Sequence, residues 1–161
     1  MTSLNISNNN LSGISDWIKP PREGLKVGDL VDGKPIVEIY SDGDIKVQDL
    51  SGVTAISDAI PTMGALTRLN LSNNEINYNL NGEAAAAPGK ALADALAVNT
   101  VLKDLDLSIN FLKQPFAEAF AVGLSANGAL AILNLGHNHI PDDQKANLER
   151  ICQSKNIDLL L

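Results

Sequence analysis

Leucine and isoleucine fall along this chain at spacings that repeat. The run Leu66-x-x-Leu69-x-Leu71-x-x-Asn74-x-Ile76 returns as Leu102-x-x-Leu105-x-Leu107-x-x-Asn110-x-Leu112 and again as Leu130-x-x-Leu133-x-Leu135-x-x-Asn138-x-Ile140. A further copy, Leu4-x-Ile6-x-x-Asn9-x-Leu11, opens the sequence with Met1 in the place of its first leucine. Side chains alternate across a strand, so Leu69 and Leu71 point to one side and Asn70 to the other. Each copy therefore predicts a short strand with one buried face, which must stack on the next copy to cover that face. Asn9, Asn74, Asn110 and Asn138 stand where the strand ends and the chain turns inside the coil. Unpaired backbone groups are costly to bury there, and an amide side chain carries both donors and an acceptor to satisfy them.

Between the copies the period changes from two to that of a helix. Ala91-Leu92-Ala93-Asp94-Ala95-Leu96 and Phe116-Ala117-Glu118-Ala119-Phe120-Ala121-Val122-Gly123-Leu124 place apolar residues at helical spacing, with small alanines that let helices lie close. Asn110 and Asn138 are 28 residues apart, enough for a full helix on the return path. In repeat length, in the helix of Gly89, Leu92 and Leu96, and in the segment from Gly64 to Asn74, the chain resembles the ribonuclease-inhibitor-like class of leucine-rich repeat proteins. The resemblance covers residues 1–12 and roughly 51–161. It implies an α/β fold: a right-handed solenoid with parallel strands on its concave face and helices on its convex face. Members of the class mostly bind proteins.

The spacing is uneven, and each irregularity carries its own expectation. Asn9 and Asn74 are 65 residues apart, and the stretch from Ile14 to Leu50 holds Pro20, Pro21, Gly24, Gly28, Gly33, Pro35 and Gly43, too many breakers for a long helix. Gly24–Val27, Ile36–Tyr40 and Asp44–Val47 are β-rich runs parted by Asp32-Gly33 and Asp42-Gly43, so an antiparallel β-hairpin of two or three strands is expected over 14–50, inserted in the first repeat. A rival reading makes Val37-x-Ile39-x-x-Asp42 the strand of a degenerate repeat. Trp17 lies at the mouth of this segment, where it either anchors the hairpin or meets a partner. Asn74 and Asn110 are 36 apart, and the extra residues are expected to loop through Asn77–Gly82 and the alanines 84–87 before Pro88, with Tyr78 exposed. At the other end, Pro141-Asp142-Asp143 opens a helix with acidic residues at its positive pole, Lys155 stands near its close, and Ile157–Leu161 reads as a last strand. Residues 141–161 are thus a C-terminal capping helix and strand within one leucine-rich repeat domain spanning 1–161. The first copy begins almost at residue 1, so either further coils precede it or the hairpin shields that edge, which could also pair two chains.

Charge and candidate chemistry narrow the function. A net charge of −7 without a basic stripe opposes nucleic acid. With one cysteine, Cys152 in a helical apolar run, there is no internal disulfide, and no segment of 18 apolar residues or leader-like start is present, so a cytoplasmic protein is expected and a membrane partner is not. The sequons Asn5-Ile6-Ser7, Asn10-Leu11-Ser12 and Asn70-Leu71-Ser72 read as by-products of the repeat. His137 and His139 flank Asn138 without a nearby Cys or acidic ligand, Asp106 with His137 lacks a nucleophile, and no phosphate loop or zinc spacing occurs. The reading is therefore no enzyme, no metal and no cofactor. The outward strand positions Asn5, Asn70, Asp106 and Asn134 form one column and Arg68, Asp104 and Ile132 its neighbour. Together with His137 at one rim, Arg68, Asn70, Asp104, Asp106, Ile132 and Asn134 are the candidate partner-binding residues, and the hairpin is a candidate wall. The first function expected is a non-catalytic protein-interaction module. The alternatives are a structural unit of a longer repeat protein or homo-oligomer, and regulation of a small GTPase, which some proteins of this repeat class perform.

Overall fold

The computed structural model describes residues 1–161 except 12–14, 16–17, 28, 33, 79 and 81, together with the side chains of 82–84. Trp17 and Gly33 lie outside the described residues. In chain order the elements are β1 (Ser3–Asn5), β2 (Leu30–Val31), β3 (Lys34–Ile39), β4 (Ile45–Val47), α1 (Ser51–Ala59), a 3-10 turn (Ile60–Thr62), β5 (Arg68–Asn70), α2 (Gly82–Val98), β6 (Asp104–Asp106), α3 (Gln114–Ala126), β7 (Ile132–Asn134), α4 (Asp142–Lys155) and β8 (Asp158–Leu160).

Five of the strands form a parallel sheet in the order β1-β5-β6-β7-β8. Its register places Leu4, Leu69, Leu105, Leu133 and Leu159 side by side. The hydrogen-bond ladder runs on past the strand ends, with Leu71 N–H donating to Asp106 O at 2.8 Å and Asn73 N–H to Ser108 O at 3.0 Å. The leucines meet the helices in one core that includes Val53 of α1, Leu92 and Leu96 of α2, Phe116, Phe120 and Leu124 of α3, and Leu148 and Cys152 of α4. All four helices therefore cover the same side of the sheet, and the positions on either side of each leucine face away from them. Helix α4 ends at Asn156 in the left-handed conformation, φ 56°, and the amide of Ile157 returns to Cys152 O at 2.9 Å, which turns the chain into β8.

Each turn after a strand is held by an asparagine. The side chain of Asn110 donates to Leu71 O, Leu107 O and Ser108 O at 2.9, 3.0 and 3.1 Å, while its Oδ1 accepts from the amide of Asn74 at 2.8 Å. Asn74 bonds Ile6 O, Leu71 O and Ser72 O and accepts from Asn9 N–H, and Asn138 bonds Leu107 O, Leu135 O and Gly136 O and accepts from Asn110 N–H. Asn9 differs from the expectation of an inward position. It is exposed, and its amide donates only to Ser7 O, because among the described residues no earlier coil supplies a carbonyl for it. A second asparagine pair, which the sequence pattern did not bring out, closes the helix-to-strand turns. Buried Asn99 bonds Ile60 O and accepts from Val101 and Leu102, and buried Asn127 bonds Leu96 O and Asn99 O and accepts from Ala129 and Leu130. Lys155 takes the next place, its ammonium donating to Asn127 O at 2.9 Å.

Helices α2 and α3 touch through their backbones at glycine. A Cβ on Gly123 would lie 2.1 Å from Ala93 O, and one on Gly89 would lie 2.5 Å from Phe116 O. No side chain fits at either place, so glycine sets how closely the coils stack.

Several further expectations change. The alanines 84–87 are helical and not looped: α2 starts at Gly82 and runs through buried Pro88. Proline costs about 3 kcal/mol inside a helix, but alanine is the best helix former and Ala85, Leu92 and Leu96 are all buried, so packing and propensity carry the helix across it. Tyr78 is half-buried against Phe111, ring centres 4.9 Å apart, rather than standing free on a loop. Strands β2, β3 and β4 form a separate antiparallel sheet, in that order, between β1 and β5 in the chain. Its first strand is Leu30–Val31 and not Gly24–Val27; Gly24 sits at φ 77° in the bend that precedes it, and Leu25 instead packs against Val31, Ile36, Ile45 and Val47. The rival strand through Val37 and Ile39 belongs to β3 and pairs antiparallel with β4, so it is not a strand of the parallel sheet. A second seam of Val37, Leu80 and Ala85 with Leu50 joins this small sheet to the start of α2, and Gln48 Nε2 donates to Glu75 O at 3.2 Å.

Two stability measurements follow. Asn110→Ala strips the buried amide of Asn74 and three carbonyls of their partner and is expected to cost about 3 to 5 kcal/mol in urea unfolding, against under about 1 kcal/mol for Asn9→Ala; equal costs would refute the ladder. Gly123→Ala is expected to cost about 3 kcal/mol by overpacking. Gly128→Ala, where no atom lies within 4 Å of the added carbon, should stay within about 0.5 kcal/mol, and indistinguishable values for the two would remove the close helix contact.

Candidate functional site

The outer face of the parallel sheet is built by alternation. Where Leu69, Leu105 and Leu133 are buried, the residues on each side of them point the other way. The register aligns Ser3, Arg68, Asp104, Ile132 and Asp158 in one column and Asn5, Asn70, Asp106, Asn134 and Leu160 in the next. Arg68 is exposed, and Asn70, Asp104, Asp106, Ile132 and Asn134 are half-buried. Ser3, Asp158 and Leu160 extend both columns to the sheet edges. None of the three was among the outward positions expected from sequence, although Ser3–Asn5 aligns residue for residue with Arg68–Asn70 and Ile157–Leu161 with Ala131–Leu135.

The second column does more than face outward. Oδ1 of Asn5, Asn70, Asp106 and Asn134 accepts from the backbone N–H two residues on, in Ser7, Ser72, Ser108 and Gly136, at 3.0, 2.8, 2.9 and 3.0 Å. Each is an Asx turn that bends the chain from the strand toward the ladder asparagine of its coil. This is the physical origin of the Asn-x-Ser triplets at residues 5 and 70. The turn engages one oxygen and leaves the rest of the group for solvent or a partner.

Charge along the face is uneven. Arg68 Nε lies 3.5 Å from Asp104 Oδ2, so that carboxylate has a counter-ion on the neighbouring strand. Asp106 accepts from Ser108 N–H and, at 2.7 Å, from Ser108 Oγ, and among the described residues it has no ion pair. It stands as an uncompensated anion near the middle of the face, between uncharged Asn70 and Asn134. Toward β8 the second column becomes apolar at exposed Leu160, with exposed Leu161 after it, while in the first column half-buried Ile132 is followed by exposed Asp158.

The rim beyond the strands is set by the inward ladder asparagines. To keep Asn74 and Asn110 inward, their neighbours adopt positive φ: Asn73 53° and Glu75 55°, Ile109 55° and Phe111 58°. His137, before Asn138, has φ 56°. Asparagine accepts this conformation readily, whereas a β-branched residue does not. His137 and His139 are both exposed, and His139 lies beside Phe111 with ring centres 5.7 Å apart. Tyr78, Phe111 and His139 thus form an aromatic row crossing three coils, which the sequence reading did not assemble because Tyr78 and Phe111 sit at different places in their copies. Among the described residues there is no group of three or more His, Cys, Asp or Glu that could hold a metal ion, and no helix is long and apolar enough to cross a membrane.

Cys152 belongs to the core and not to this face. It is buried on the inner side of α4, and burial pushes its thiol up to about 11. A thiol held neutral there packs as a small hydrophobe.

No curated protein matches the chain in sequence. The copy that opens the chain, residues 1–20, matches the family model of the Leucine Rich Repeat, and the repeat is of a kind that generally mediates contact between proteins.

Proposed function

We propose that the chain is a non-catalytic protein-interaction module, a right-handed solenoid of the ribonuclease-inhibitor-like class, which binds a protein partner through the concave outer face of its parallel sheet. The observation that carries this reading is the pair of registered columns in which Arg68, Asn70, Asp104, Asp106, Ile132 and Asn134 share one face, with His137 at its rim. Arrays of this kind give a partner many weak polar contacts and few deep pockets, which suits a protein surface. Asp106 supplies a charge with no internal counter-ion, so the partner brings a cation to it, and Ile132 with Leu160 supplies the apolar end of the same footprint. The small antiparallel sheet, inserted in the first coil, forms a wall beside the face by leaning on the turn that carries Glu75.

A second reading rests on the sheet edges. Among the described residues β1 and β8 are each paired on one side only, and Met1, Leu160 and Leu161 are exposed hydrophobes next to them. An edge of this kind joins readily to another strand, which would make the chain an assembly unit.

The two readings separate experimentally. With a partner purified by affinity capture, Asp106→Lys and Ile132→Glu are each expected to weaken binding at least about thirtyfold, near 2 kcal/mol, while Lys90→Glu on the exposed side of α2 leaves it unchanged. Loss caused by the helix variant and not by the sheet variants would sink the sheet-face reading. Light scattering on the chain alone decides the other: a monomer across a hundredfold range of concentration, on the order of 1 to 100 μM, removes self-assembly through the edges.

A further inference from the structure

We propose that the rim made by Glu75, Tyr78, Ile109, Phe111 and His139 is a receptor for an arginine side chain of a protein partner, presented beside an apolar one. The inference rests on the protein-binding reading above but concerns a different set of residues, at the turn side of the coils and not on the strands.

Three observations lead to it. Glu75 is half-buried and, among the described residues, has no ion pair. Lys113 does not serve it, since its ammonium donates to Leu80 O at 2.9 Å. The backbone of Glu75 is fixed: its carbonyl accepts from Tyr78 N–H at 3.0 Å and from Gln48 Nε2 of the small sheet at 3.2 Å. A half-buried carboxylate carried on a fixed backbone and left uncompensated is a site for a cation.

The same rim carries aromatic rings. Glu75 and Phe111 occupy equivalent places, each directly after a ladder asparagine and each at positive φ. Tyr78 meets Phe111 edge to face at 70°, and His139 flanks Phe111 on its other side. A planar guanidinium can lie over an aromatic face while its nitrogens pair with a carboxylate, a combination open to arginine and not to a purely apolar or an anionic group. Asp106 adds negative potential on the adjoining face, which also favours a cation.

Then there is Ile109. It is 43% exposed and sits at φ 55°, where its counterparts in the first two coils are Asn8 and Asn73. The chain therefore holds a β-branched apolar side chain outward in a conformation that costs it energy, with an asparagine tolerated at the same place in two other coils. Strain of this kind, retained at an exposed position, marks a contact made with something else. An apolar neighbour of the arginine would cover it.

The test is a titration of the isotope-labelled full chain, followed by amide resonances, with acetyl-Gly-Leu-Arg-Leu-Gly-amide up to on the order of 10 mM, and with the matched peptides carrying citrulline or glutamate in place of arginine. Expected are shifts at Glu75, Tyr78, Ile109, Phe111 and His139 with the arginine peptide, at least about tenfold weaker binding of the citrulline peptide and none of the glutamate peptide. Glu75→Gln should weaken the arginine peptide about tenfold with unfolding unchanged. Ile109→Asn should raise the melting temperature by about 2 to 4 °C, because the strain is relieved, and yet weaken the peptide. A silent rim, a rim that does not distinguish arginine from glutamate, or binding indifferent to Glu75→Gln would overturn the proposal. Shifts confined to Arg68, Asp104 and Asp106 would overturn it too while leaving the sheet-face reading intact.

Discussion

Everything in this fold hangs on a buried amide group. A coil that turns inward at the end of each strand leaves peptide groups where water cannot reach them, and each such group would cost a few kcal/mol if unpaired. Asn74, Asn110 and Asn138 answer this by bonding in two directions at once: to carbonyls of their own coil and the coil before, and to the amide of the preceding asparagine. The bonds fix the offset between successive coils. With the offset fixed, the leucines superpose, the sheet acquires its register, and the helices are brought close enough for Gly89 and Gly123 to touch neighbouring backbone.

The same constraint shapes the surface. An asparagine pointing inward at the end of a strand forces the residues around it outward and, at several of them, into the left-handed region. The Asx turns of Asn70, Asp106 and Asn134 begin that reversal one step earlier, on the exposed face. The candidate face and the aromatic rim are thus not independent decorations. They are the outer halves of turns whose inner halves are structural, which is why polar groups on the face already make a bond of their own before any partner arrives.

How much of this the sequence disclosed depended on whether a feature repeats. The Leu-x-x-Leu-x-Leu-x-x-Asn pattern recurs, so strands, return helices and the two outward columns could be read from it. Asn99 and Asn127 recur too, each three places before the first leucine of a copy, but with only two examples the pattern stayed hidden beside the main ladder. Features that occur once were read less well. Pro88 looked like a boundary, yet the alanines before it and the buried residues after it keep the helix going. In the small sheet, Gly24–Val27 has β-type residues but lies outside β2, which falls at Leu30–Val31. Tyr78 depends on its contact with Phe111, a residue of another coil, and such a pairing has no trace in local sequence.

The direction of the asparagine bonds has a dynamic consequence. Each ladder amide donates forward: Asn9 N–H to Asn74, Asn74 N–H to Asn110, Asn110 N–H to Asn138. The slow proton of one coil is therefore guarded by the side chain of the coil that follows it. Local opening at the β7–β8 end frees the amide of Asn110 while its side chain keeps its bonds to Leu71 O, Leu107 O and Ser108 O, whereas fraying at β1 frees none of the later ladder amides. Hydrogen exchange at three neighbouring asparagines would thus record, coil by coil, from which end the stack comes apart.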